Sequence, residues 1–308
     1  MKSVNRLHPD KGYTMYKILL LGATGFIGSN IARELESNNR EWLGVSRTNK
    51  SKATNIATFD ERERLLNFLK QKPIVINALG GLKPKDYTID TLRAIDEFWE
   101  AMYQVLSLLR EAPPASYFQI SSAGTIYGEA QSCPSVETDY SAPSSWYGRM
   151  KVVEEALYMQ YAQDHGVNYT CARVTNPFGN ENHPTHGLVD VIVDHVKRNK
   201  MFTISFKEGA CRDFIYAPTM AKIIVNMADS IVPGVFNVGS GNSIPLADII
   251  SVAKKACPEA KFQNSIASTT DVVKSHVSID KLKRNFDIKI DGPTATEYLI
   301  KKISQVTV

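Results

Sequence analysis

Tyr147 and Lys151, in Tyr147-Gly148-Arg149-Met150-Lys151, stand four positions apart. On a helix that spacing puts both on one face. An ammonium close to a phenol favours the phenolate and draws the tyrosine pKa towards neutrality. A tyrosine so tuned gives or takes a proton at an alcohol or ketone carbon. The lysine can also hold a ribose hydroxyl of a cofactor. Pairs of this spacing are common on helix surfaces, so its meaning depends on what accompanies it. Upstream lies Ser121-Ser122-Ala123-Gly124-Thr125-Ile126-Tyr127-Gly128, directly after an apolar run. A hydroxyl at such a strand end points into a cleft and can orient a substrate oxygen towards Tyr147. The plainer alternative is a polar exit from the strand.

The elements that must position these side chains start at a glycine turn. Residues 16–21 read as a buried strand and residues 29–36 as a helix, with Gly22-Ala23-Thr24-Gly25-Phe26-Ile27-Gly28 between them. Strand, glycine turn and helix form the context of a dinucleotide-phosphate loop. The first glycine permits the tight turn, the second lets backbone approach pyrophosphate, and the third lets helix pack on strand. The helix N-terminus offers N–H groups and a positive dipole end to the phosphates.

Strand patterns follow at 41–46, 56–59, 73–78, 117–121 and 167–174, and helix patterns at 60–70, 89–110 and 145–164. This alternation predicts an α/β fold, a Rossmann-type doubly wound parallel sheet over residues 16–175. From Asn176 the rhythm changes to shorter strands and helices. Residues 176–308 read mainly as a smaller C-terminal substrate-binding lobe, with segments near 214–240 returning to the sheet. Residues 1–15, polar and charged, read as a tail before the first strand.

Composition narrows the classes. The chain has 308 residues, 43% hydrophobic and 22% charged, which suits a normal globular core. Net charge is +4, with Lys and Arg spread along the chain. That argues against nucleic acid and accommodates an anionic small substrate. Cys133, Cys171, Cys211 and Cys257 form no Cys-x-x-Cys pair, so neither a metal site nor a disulfide framework is expected. A reducing, cytoplasmic location is the simplest reading. No apolar run reaches the roughly 18 residues of a membrane span, and the N-terminus lacks the hydrophobic stretch of a secretory signal.

Taken in order, the glycine turn, residues 121–128 and Tyr-x-x-x-Lys closely resemble the extended short-chain dehydrogenase/reductases. Within these, the chain is similar to the NAD-dependent epimerase/dehydratase family acting on nucleotide sugars. Arg173-Val174-Thr175-Asn176-Pro177-Phe178-Gly179 resembles the family's Arg-x-x-Asn-Pro/Val-x-Gly. Arg212-Asp213-Phe214-Ile215-Tyr216 resembles its Arg-Asp-Tyr/Phe-Ile segment, and Phe236-Asn237-Val238-Gly239-Ser240-Gly241 its Phe/Tyr-Asn-Val-Gly-Ser/Gly signature. The resemblance implies that Tyr147 and Lys151 are catalytic and also touch the cofactor. It implies Asn176 on the sugar or phosphate region, and Arg212 on the nucleotide diphosphate unless it merely pairs with Asp213 at the surface. Ala78, Leu79 and Gly80 would line the adenosine and ribose side, or form a plain strand-end turn. A homodimer through the helices of Ile89 and Tyr147 is also implied.

Departures from the family pattern sharpen the chemistry. The family's Ser or Thr four residues before the Tyr of Ile-Tyr-Gly is Ala123 here, so Ser122 or Thr125 must take that role, with Ser122 favoured and also facing substrate. The Asp-Glu pair of the 4,6-dehydratases is Gly124-Thr125, which argues against dehydration. An Asn common in the long helix falls at Ala101. After strand two stand Ser46, Arg47 and Thr48, then Lys50 and Lys52, with no carboxylate between Gly44 and Asn55. An acid there would serve NAD and an Arg serves NADP, so NADP(H) is favoured over NAD(H). Arg47 stacking on adenine is the alternative that suits NAD. Asp60 meets the adenine amino group or caps the next helix.

The resulting expectation is a nucleotide-sugar 4-epimerase. Tyr147 takes the C4 hydroxyl proton while hydride moves to the nicotinamide, the 4-keto sugar turns, and hydride returns to its other face. Residues 176–187 resemble O-antigen and capsule sugar enzymes, which points to lipopolysaccharide or other surface-polysaccharide biosynthesis. The rival is an NADPH-dependent NDP-4-keto-6-deoxysugar reductase using the same residues once. A non-catalytic NADP-binding sensor or scaffold is opposed by the intact Tyr147 and Lys151.

Overall fold

The computed structural model describes residues 16–48, 53–180, 187–267 and 271–305. The expected tail 1–15, together with Lys50, Lys52 and residues 181–186, lies outside them. Strand β1 (Ile18–Leu21) is buried over its whole length, as a parallel strand covered on both faces must be. After it come α1 (Phe26–Ser37), β2 (Trp42–Val45), β3 (Ile56–Ala57), α2 (Arg62–Leu69), β4 (Ile74–Asn77), α3 (Pro84–Ile89) and α4 (Thr91–Glu111). Then follow β5 (Ser116–Ser122), α5 (Ala123–Ile126), α6 (Trp146–His165), β6 (Asn168–Val174), β7 (Asn176–Phe178), α7 (Leu188–Lys197), β8 (Phe202–Ile204) and β9 (Cys211–Tyr216). The chain ends with α8 (Ala217–Ser230), β10 (Gly234–Val238), β11 (Ser243–Pro245), α9 (Leu246–Ala256), β12 (Phe262–Asn264), β13 (Lys274–Ser275), α10 (Asp280–Asn285) and α11 (Ala295–Ser304).

Seven strands form one parallel sheet in the order β3-β2-β1-β4-β5-β6-β10. The chain reverses its direction of winding between β1 and β4. That switch point leaves a crevice at the carboxyl ends of the strands, where ligands bind in such sheets. On one face Ile31, Leu35 and Ile224 pack against Ile18, Leu20 and Phe236. On the other, Leu65, Val105 and Tyr158 pack against Leu19, Val75 and Tyr117. Both α8 and β10, drawn from within residues 214–240, belong to this unit.

The remaining elements form a discontinuous lobe. Strand β9 pairs with β7, β11 and β13, while β8 pairs with β12. Helices α7, α9 and α11 close over them through Val189, Ile192, Ile249 and Leu299. The long helix expected over 89–110 is α4, and the short helix α3 precedes it. Asp90 is extended, with φ −147°, and its side chain accepts from Arg93 N at 3.1 Å to cap α4. An aspartate that caps so well ends one helix in order to begin the next.

Candidate active site

A groove of about 560 Å³ opens at the switch point. Gly22, Thr24, Gly25, Phe26 and Ile27 line it on one side, and Ala78, Leu79 and Gly80 on the other. Gly22 has φ +79°, and a Cβ there would stand 2.6 Å from the Ala78 carbonyl oxygen. Gly28 lies outside the groove. A Cβ on it would stand 2.1 Å from the Gly22 carbonyl oxygen, so its role is to seat α1 against the turn. The N-cap of α1 is Gly25, with no side-chain cap and no carboxylate in the first turn. A helix start without these suits an anion. Thr24 Oγ1 and Ser46 Oγ, 2.7 Å apart, tie the turn to the end of β2. Ser46 is buried and Arg47 is exposed, and both line the groove.

Asp60 is exposed and outside the groove lining, and the N-cap of α2 is Glu61 instead. The capping role of Asp60 is therefore not built here. Gly81, Leu82 and Lys83 extend the wall beyond the residues that spacing selects. A lysine following a glycine pair at a strand end was the available signal for them.

Helix α6 brings the reactive pair to this wall. Ser145 Oγ accepts from Gly148 N at 3.2 Å and fixes the helix start. Tyr147 then falls in the first turn and Lys151 one turn later, and both line the groove. Lys151 Nζ donates to Glu154 Oε2 at 2.6 Å, with side chains only 12% and 8% exposed. Burial acts to lower the Lys151 pKa. The Glu154 carboxylate, by its charge and its hydrogen bond, outweighs it and holds the ammonium above the usual lysine range. Tyr87 of α3 stands edge-on to Tyr147 with ring centroids 6.3 Å apart. Burial pushes its phenol up to about 12, so it stays neutral beside the pair.

The hydroxyls at the end of β5 divide. Successive side chains of a strand point to opposite faces. Ser121 lines the groove with Tyr147 and Lys151, and its buried Oγ has no hydrogen-bond partner among the described residues. Thr125 Oγ1 donates to Ser122 Oγ at 3.0 Å, and neither residue lines that groove. Ser121 is thus a third candidate hydroxyl, outside the two that the motif selects. The sequence carries no direct signal for it, because the strand's phase decides.

On the lobe side, Asn176 donates Nδ2 to the Asp213 carbonyl oxygen at 2.8 Å. A Cβ on Gly124 would lie 3.6 Å from Asn176 Oδ1, so Gly124 packs beside Asn176. Arg212 does not pair with Asp213. Its Nη2 donates to Asp271 Oδ1 at 2.6 Å, and its Nη1 to the carbonyls of Cys211 and Val273 at 2.8 and 3.2 Å. Asp213, buried and raised in pKa by that burial, accepts from Ser240 N, Ser240 Oγ and Gly241 N. It folds the 236–241 signature onto β9. Among the described residues no group of three or more His, Cys, Asp or Glu could hold a metal ion. None of their helices is long and apolar enough to cross a membrane.

A Rossmann-type sheet, a glycine turn at its switch point and a Tyr-x-x-x-Lys helix facing that turn define an extended short-chain dehydrogenase/reductase. The model of the NAD dependent epimerase/dehydratase family matches residues 18–239, and the chain belongs to that family. It is 26% identical over 269 residues to the UDP-glucose 4-epimerase of Lactobacillus helveticus, covering 78% of this chain and 81% of that one. Its fold matches the UDP-glucose 4-epimerase of Thermotoga maritima, solved with UDP-glucose, at a TM-score of 0.79 and 21% identity over 95% of this chain and 100% of that one. TunA, an NAD dependent NDP-hexosamine 5,6-dehydratase of tunicamycin biosynthesis, matches at a TM-score of 0.81 and 20% identity over 95% and 97%. The chain is thus an enzyme of the extended type whose family works with a nicotinamide dinucleotide.

Proposed function

We propose that the chain is a nucleotide-sugar 4-epimerase acting by transient oxidation at C4. The observation that carries this reading is the placement of Tyr147 and Lys151 in the wall of the glycine-turn groove, with Lys151 kept cationic by Glu154. The residues present fit a nicotinamide dinucleotide. The turn has no side chain at Gly22 and Gly25, the α1 end has no side-chain cap, and the Ser121 hydroxyl lacks a partner. When bound, the nicotinamide supplies a store for the C4 hydride. Tyr147 Oη accepts the proton of the C4 hydroxyl as that carbon is oxidised, and gives it back to O4 on return. The Lys151 ammonium stabilises the Tyr147 phenolate that takes this proton and that forms again when the proton is returned. Ser121, Ser122 or Thr125 donates to the same sugar oxygen. Arg212 exchanges Asp271 for the nucleotide diphosphate, which suits its forked donors, and Asn176 holds the sugar side.

The cofactor in this reading is NADP(H) rather than NAD(H). Arg47 at the groove and the absence of an acid from Gly44 to Asn55 support it. The same basic strand end favours a second reading, an NADPH-dependent 4-keto-sugar reductase. The cofactor that copurifies with the protein checks this choice, with NADP(H) expected. We also infer a cytoplasmic homodimer serving surface-polysaccharide synthesis. Leu92, Trp99 and Tyr103 form an exposed apolar stripe on α4, and Met159 is exposed on α6. Light scattering should give twice the chain mass, and Trp99→Glu with Tyr103→Glu should halve it.

The activity is tested by incubation with UDP-, dTDP- and GDP-sugars, following C4 inversion by NMR together with the absorbance of reduced cofactor. Inversion without net change in cofactor is expected. Stoichiometric oxidation of NADPH by a 4-keto sugar would replace the epimerase with the reductase.

A further inference from the structure

We propose that Glu154 is a positioning residue for Lys151: it holds the ammonium in place and ionised inside the groove wall, and so sets the alkaline limit of catalysis. The inference rests on the reading of Tyr147 and Lys151 as the reactive pair. Three observations converge on it. Glu154 follows Lys151 by three positions on α6, so the two side chains meet on one helix face. Lys151 Nζ lies 2.6 Å from Glu154 Oε2, and Glu154 as a residue is only 6% exposed. A second cavity, of about 490 Å³, lies between α4 and α6 and touches Tyr147, Lys151, Glu154 and the small side chain of Ala101. Lysine and carboxylate therefore both border a space that can hold water.

A lysine buried this far would by itself shed its proton, because burial disfavours the charged form. The neighbouring groups leave that task to Glu154. Tyr87 from α3, Tyr117 from β5 and Tyr158 on α6 face the pair, and burial raises all three phenols, so they are neutral. Arg93, Glu97 and Glu100 of α4 line the same cavity, and Arg93 pairs with Glu97 at 2.8 Å on the exposed side. Arg47 lines both spaces and adds positive charge, which works against a second ammonium. Glu155, next in sequence, is turned away and binds Arg173 at 2.8 Å. Glu154 alone among the described carboxylates meets Lys151 directly.

The test is the titration of Lys151 by NMR in protein carrying isotope-labelled lysine, without substrate or added cofactor. The Lys151 signal is assigned by its loss in Lys151→Arg. In the unaltered protein Lys151 should remain charged across the pH range the fold tolerates. In Glu154→Gln it should titrate at least about 2 pH units lower, and in Glu154→Asp by an intermediate amount. In Glu154→Gln the pH–rate profile should fall off on its alkaline side where Lys151 now titrates, while KM at neutral pH stays within about twofold. An unchanged Lys151 titration in folded Glu154→Gln overturns the proposal. Should that variant not fold, an unchanged titration in Glu154→Asp overturns it equally. A shifted titration with an unmoved pH–rate profile upholds Glu154 as the partner of Lys151, and instead removes Lys151 from the proposed reaction.

Discussion

The two halves of the cleft are built by different means. In the cofactor half the contacts are made by backbone and by absent side chains: Gly22 at φ +79°, Gly28 pressed on the turn, and a helix start without a side-chain cap. Its one reactive cation, Lys151, is held by a glutamate a single turn away. In the lobe half the candidate contacts are long side chains already engaged with protein. Arg212 is bound to Asp271, and Asn176 to the Asp213 carbonyl. The first half is preorganised and intolerant of change. In the proposed function the second exchanges partners on binding, which makes its affinity a difference between two sets of bonds.

The largest expected effect lies in the first half. Tyr147→Phe removes the proton acceptor and leaves the helix intact, so turnover should fall by about a thousandfold while cofactor binding is retained. Full turnover by this variant would move the chemistry out of the cofactor half. Next come two glycines, one from each half. Gly28→Ala places a methyl 2.1 Å from a backbone oxygen and should cost about 3–5 kcal/mol in denaturant unfolding. Gly124→Ala meets the Asn176 side chain at 3.6 Å and Ser275 Oγ at 3.9 Å, both ordinary contacts, and should cost less than about 1 kcal/mol. Equal losses would erase the contrast.

Arg212 tests the exchange of partners. Arg212→Ala should raise KM for the nucleotide sugar by about 10- to 100-fold without weakening cofactor binding. Asp271→Asn, which releases Arg212, should lower that KM several-fold. The smallest effect is electrostatic and belongs to Asp213. Its pKa is raised by burial, only partly offset by the bonds from Ser240 and Gly241. The native state therefore binds more protons than the unfolded chain between the ordinary carboxylate pKa and the raised one. Stability should fall as pH rises through that window, and Asp213→Asn should flatten the slope.

What could be read before the structure follows the same division. The glycine turn, the alternating strands and the Tyr147–Lys151 pair are local patterns, and local spacing with continuous apolar strands sets them. The return of β10 to the sheet was legible in the short strand pattern of Phe236-Asn237-Val238. Other features depend on contacts that spacing does not encode. The break at Asp90 turns on which of two helices gains the better cap. The orphaned hydroxyl of Ser121, beside the paired Ser122 and Thr125, turns on the phase of β5. Arg212 meets a carboxylate 59 positions away rather than its neighbour Asp213. Glu154 and Glu155 are adjacent and identical, yet one holds Lys151 and the other Arg173. Only the packing of α6 on the sheet separates them.

The most direct measurement uses whichever nucleotide sugar is inverted, prepared with deuterium at C4 and incubated with the enzyme in ordinary water. Oxidation and return of the same hydride in the cofactor half predict that the epimer keeps its deuterium at C4. Replacement of that deuterium by solvent hydrogen would contradict the account, because inversion would then proceed by proton exchange at carbon.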